Sequence, residues 1–119
     1  MLADNRIHPR VQTELAVEIG IPGDRTGAKI IDMSLGGVTI RGSHVLAHMM
    51  MPELETPVSV GREFVISFSL PFSEFSEVCR LVHVRRLSQS DFEFGMKFIE
   101  LSPRDLASIS DYINNHVRG

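Results

Sequence analysis

The chain predicts a mainly β fold, a six-stranded antiparallel β-barrel followed by a C-terminal α-helix. Three observations lead there. Apolar residues recur at every second position in several separate runs, the period of a strand with one buried face. Most of these runs are joined by short stretches of turn residues, so successive strands fold back on each other. After Ser102 the period changes to three and four, and only once.

Residues 1–10 carry little periodicity and are expected to form a flexible arm. The barrel is expected over 11–101. Thr13, Leu15, Val17 and Ile19 alternate with Glu14, Ala16 and Glu18, and Ile21-Pro22-Gly23-Asp24 has turn chemistry. Ala28–Asp32 and Gly37–Arg41 make the next pair of strands, with a polar hinge at Ser34–Gly37. Residues 43–61 have no clean period and are long for a plain connection, which leaves a short helical turn or a contact loop open. Met49, Met50 and Met51 suit adaptable packing better than a partner groove. Phe64, Ile66, Phe68 and Leu70 then alternate with Val65, Ser67 and Ser69 until Pro71 stops the run. Glu77–Leu87 is a longer β segment that turns at Ser88–Asp91 into Phe92, Phe94, Met96 and Phe98. The helix is expected over 102–117: Ser102 caps it, Pro103 suits its first position and Asp105 complements its dipole. Leu106, Ile109, Ile113 and Val117 form the stripe that should face the barrel.

At 119 residues, with 43% hydrophobic and 23% charged residues, the chain has the size and composition of one globular domain. A net charge of -3 argues against a general nucleic-acid binder, which needs a dense basic face. No apolar run approaches the roughly 20 residues of a membrane span, and no signal segment is legible, so a cytoplasmic protein without membrane insertion is expected. The single cysteine, Cys79, is expected as a buried apolar filler.

Two clusters carry chemistry. Arg6 and Arg10 stand four residues apart around Pro9, and Asp32, Ser34 and Gly37 occupy the hinge. The guanidiniums can donate paired hydrogen bonds to phosphate or to a guanine edge and can stack on a base. Asp32 can accept from guanine N1–H and N2–H2, Ser34 can bridge to a phosphate or a base edge, and Gly37 leaves room for a ligand or for backbone. Taken singly, each cluster also has an ordinary explanation. Two arginines near a terminus are commonly solvated charges, Asp-x-Ser commonly caps its own turn, and Gly36 and Gly37 would serve a turn that needs positive φ.

Together, in this order and at this separation, R-x-x-x-R at Arg6 and Arg10 and D-x-S-x-x-G at Asp32, Ser34 and Gly37 resemble the two signatures of the PilZ domain family. The closing run Gly95–Pro103 and its helix resemble the end of that family. The resemblance implies a PilZ-like split barrel that acts as a receptor for the bacterial second messenger cyclic di-GMP, with Arg6, Arg10, Asp32, Ser34 and Gly37 on the binding surface. It implies no other cofactor. Many members carry an arginine just before the first signature arginine, and this chain has Asn5. That replacement implies one ligand molecule per chain rather than a stacked pair. A protein effector would receive the signal, through ordering of the 1–10 arm, in a motility or biofilm pathway, from a monomer or weak dimer.

An enzyme is not expected. Asp-Met-Ser-Leu-Gly-Gly lacks the glycine two places before serine that a nucleophile elbow requires, and no phosphate-binding glycine loop occurs. His44 and His48 lack a third ligand at zinc spacing, so no metal is expected. Two further readings stay in view. One is a ligand-independent PilZ-like adaptor in motility, pilus or secretion machinery; the other is a nucleic-acid-binding barrel using Arg80, Arg85 and Arg86.

Overall fold

The structure, a computed structural model, describes residues 9–21, 23–51 and 61–118. Most of the arm expected over residues 1–10, including Arg6, lies outside the described residues. Six strands run β1 Val11–Ile21, β2 Asp24–Met33, β3 Gly37–Ser43, β4 Glu63–Leu70, β5 Ser73–Arg86 and β6 Asp91–Phe98. A short helix α1, His44–Met50, separates β3 from β4, and α2, Pro103–Arg118, ends the chain. The strands close a barrel in the order β1-β2-β3-β6-β5-β4, with every neighbouring pair antiparallel. Closure removes the open sheet edges that would otherwise invite pairing with other chains.

The alternation read from the sequence is the alternation of the core. Phe64, Ile66, Phe68 and Leu70 of β4 are buried, as are Phe75, Cys79 and Leu81 of β5 and Phe92, Phe94, Met96 and Phe98 of β6. Burial pushes the Cys79 thiol up to about 12, so it stays protonated and unreactive. Two strands begin earlier than their apolar runs. β2 starts at Asp24 and β5 at Ser73, because Ile21 pairs with Asp24 and Leu70 with Ser73. Cross-strand pairing thus extends polar stretches that have little β-propensity of their own.

The aperiodic stretch after Ser43 opens with α1. Ser43 caps it by accepting the Val45 N–H at 3.2 Å. Leu46, Ala47, Met50 and Met51 are buried in the barrel core, so two of the three consecutive methionines are packing residues. Residues 52–60 of that connection lie outside the described residues.

Helix α2 begins as expected, with Ser102 Oγ accepting the Asp105 N–H at 3.1 Å. Its inward stripe differs. Ile109 and Ile113 are buried, but Leu106 is 44% exposed, and Asp105 faces inward in its place. Two polar contacts join this face of the helix to the barrel: Asp105 with Glu77 of β5, and the Tyr112 hydroxyl with Thr13 of β1. Hydropathy alone could not weigh these. The side chain of Val117 lies outside the described residues.

Candidate functional site

The β2–β3 connection is a tight turn tied to its own side chain and to the next strand. The Ser34 N–H donates to the Gly37 carbonyl at 2.9 Å, and the Gly36 N–H donates to Ser34 Oγ at 3.1 Å. The Phe98 N–H of β6 then donates to the Gly36 carbonyl at 2.9 Å. Ser34 is only 3% exposed, and its oxygen holds the turn closed; its hydroxyl hydrogen remains a donor. Neither Gly36 nor Gly37 has a positive φ, so that explanation for the glycine pair does not hold. Gly37 is instead a close-approach residue, since a Cβ there would stand 2.1 Å from the Met96 carbonyl oxygen. It lets β3 and β6 lie together at this point.

Asp32, just before the turn, is half-buried and forms an ion pair with Arg10, just before β1. The chain's first described cation and the carboxylate of the hinge therefore meet, across twenty-two residues of sequence. Both groups reach water, with side-chain exposures of 50% for Arg10 and 26% for Asp32. A pair so exposed is worth about 1 kcal/mol or less, so either partner can turn to a competing ligand at small cost.

Asp32 belongs to a row that crosses five strands: Gln12 of β1, Asp32 of β2, Thr39 of β3, Gly95 of β6 and His83 of β5. Three register shifts border this row, between Gln12 and Leu15, between Ile30 and Asp32, and between Leu81 and His83. Such bulges re-aim the side chains beside them and are enriched next to functional sites. Above the row opens a groove of about 490 Å³, lined by Arg10, Ser34 and Gly37 on the β2–β3 side, by Val82 and His83 on the β5 side, and by Lys97 of β6, which pairs with Gly37. That volume suits a small organic ligand, for which about 300–1,000 Å³ is typical.

Of the residues singled out in the sequence, Arg10, Ser34 and Gly37 line the groove and Asp32 pairs with Arg10 beside it. Arg6 lies outside the described residues. Sequence reading missed Thr39, His83, Gly95 and Lys97. Lys97 had a signal in its outward place in the Phe94–Phe98 alternation. His83 had none, because strict alternation after Leu81 turns it inward and only the bulge brings it out.

The other charged regions are occupied by contacts within the chain. Arg80 meets Glu63 at 3.3 Å, Arg85 meets Glu93 at 3.1 Å, and Arg86 donates to the Ser88 and Gln89 carbonyls while lying over the Phe92 ring. Each of these arginines thus faces an acidic or carbonyl partner, which lowers the net positive charge of that face. At the α2 end, burial and the neighbouring Asp105 push Glu77 up to about 7. The same contact holds Asp105 below the usual carboxylate range, with help from Arg104 and Ser102. Among the described residues, no three His, Cys, Asp or Glu side chains gather as a metal site, and no helix is long and apolar enough to cross a membrane.

A closed barrel with a bulge-edged groove of mixed polar and apolar lining on its outer wall has the form of a small binding domain. The PilZ domain profile matches residues 4–115, and the chain belongs to the PilZ domain family. Solved structures agree in fold. The Bacillus subtilis inhibitor of motility MotI/DgrA superposes with a TM-score of 0.72 at 14% identity, over 95% of this chain and 52% of that one. The PilZ domain of Escherichia coli YcgR, solved with c-di-GMP, gives 0.67 at 16%, over 95% and 92%. The K. pneumonia MrkH complex with c-di-GMP gives 0.66 at 14%, over 94% and 52%. The chain spans about half the length of the Bacillus and Klebsiella proteins. No curated protein sequence matches it.

Proposed function

We propose that the chain is a receptor for cyclic di-GMP that binds it in the groove beside the β2–β3 turn. The observation that carries this reading is the meeting of Arg10 with Asp32 at the groove's mouth in a PilZ chain. The ligand's two phosphates and two guanines call for forked cationic donors and for a carboxylate acceptor. Arg10 serves the phosphate or the guanine O6/N7 edge, with Arg6 as the second guanidinium. Asp32 accepts from guanine N1–H and N2–H2. Ser34 and Gly37 shape the turn: the first locks it and the second lets it sit against β6. The role is binding rather than catalysis, with one ligand per chain because Asn5 stands where a further arginine would support a second. Ligand draws the N-terminal arm onto the turn and changes the surface shown to a protein effector in the bacterial cytoplasm.

Titration calorimetry with cyclic di-GMP, against GTP and cyclic GMP, tests this. Selective binding at one molecule per chain is expected, and no heat with any of the three overturns it. A ligand-independent adaptor is the second reading, favoured by the fact that Arg10 and Asp32 already satisfy each other within the chain. It predicts that Arg10→Ala leaves partner binding unchanged.

A further inference from the structure

Resting on the nucleotide reading above, we infer that His83 is the stacking surface for one guanine of the ligand, on the β5 side of the groove. Two features of the barrel are arranged around this side chain. The register shift between Leu81 and His83 turns Val82 and His83 to the same outer side, where both line the groove. On the neighbouring strand, Gly95 has no side chain, and the Nδ1–Cε1 edge of the imidazole fills its place. A Cβ on Gly95 would stand 2.2 Å from Nδ1 and 2.3 Å from Cε1. The ring is thus seated on the sheet instead of trailing in solvent. Among the described residues it makes no side-chain hydrogen bond or ion pair, so packing over Gly95, and no polar partner, seats the ring.

The position fits a ligand with two bases. His83 lies three strands from Asp32 along the same row, about 14 Å measured around the curved barrel wall at the usual strand spacing. On this placement one guanine of a cyclic dinucleotide lies at Asp32 and the other on His83, with the phosphates between them. Val82 beside the ring adds apolar floor, and Lys97 lines the same groove with a cation suited to a phosphate. Stacking on an aromatic ring tolerates any base, so His83 contributes affinity while Asp32 reads identity.

The test compares the wild-type chain with His83→Ala, His83→Phe and Arg10→Ala, each checked for an unchanged melting temperature and titrated with cyclic di-GMP. His83→Ala is expected to weaken binding by roughly tenfold, and His83→Phe, which keeps a ring but no ring nitrogen, to bind within about twofold of wild type. If Arg10→Ala loses binding while His83→Ala binds like wild type, the stacking role is overturned and the receptor reading stands. If His83→Phe falls as far as His83→Ala, the ring nitrogens act instead of the ring face, and the inference is again overturned. If the wild-type chain binds no cyclic di-GMP, the receptor reading itself fails.

Discussion

Two places in this barrel bring carboxylates into contact with distant parts of the chain, and they do so in opposite ways. At the groove, Asp32 meets Arg10 where both side chains reach water. At the α2 end, Glu77 meets Asp105 where each residue is 9% exposed. The first contact is cheap to break and the second is not, because a charge removed from water needs a partner at every moment. Exchangeable contacts suit a ligand site, and buried ones fix how elements pack. The exposed pair should therefore respond to substitution through binding, and the buried pair through stability.

The largest stability loss should come from the packed end. Ile109→Ala leaves a cavity under α2 and should cost about 2–5 kcal/mol in chemical denaturation, while ligand affinity measured on the folded protein stays near wild type. A parallel fall in affinity would show that helix and groove are not separable. Next, Arg10→Ala should remove a charge-assisted contact of about 1.5–3 kcal/mol, weakening cyclic di-GMP binding by ten- to a hundredfold or more with little change in melting temperature. Affinity and melting temperature falling together would erase the distinction between the two regions.

The pH response sharpens the contrast. Glu77 has a folded value of about 7 against an ordinary 4.5, so the folded state holds its proton more tightly than the unfolded state. Its stabilisation is complete below the ordinary value and is lost as pH rises through about 7. Asp105 is shifted downward, so its contribution persists above its ordinary 3.8 and is lost only in more acid solution. Wild-type melting temperature should therefore decline between pH 5 and pH 8 through this pair, and Glu77→Gln should flatten that decline; equal slopes in thermal scans would contradict it. The smallest expected effect is that of Asp32→Asn on stability, about 1 kcal/mol or less by denaturant titration, since it removes only an exposed pair.

Legibility followed physical origin. Period-two runs such as Phe64–Leu70 and Phe92–Phe98 were readable because burial on one face dictates both residue type and spacing. The cap at Ser102 was readable because its hydrogen bond is local. Arg10 and Asp32 were readable as a motif, although their contact depends on barrel closure, which no local signal encodes. The exposure of Leu106 on α2 was hidden, because a buried Asp105 depends on Glu77 from a distant strand. His83 was hidden for a related reason. A bulge is a property of two paired strands, and reading β5 alone places the residue on the wrong side.

The most direct test of ligand binding in the groove maps amide chemical shifts by heteronuclear NMR as cyclic di-GMP is added. Arg10, Asp32–Thr39, Val82, His83 and Gly95–Lys97 should move together at one molar equivalent, with α2 nearly still. Shifts concentrated on α2 and the β4–β5 turn, with the groove unmoved, would contradict it.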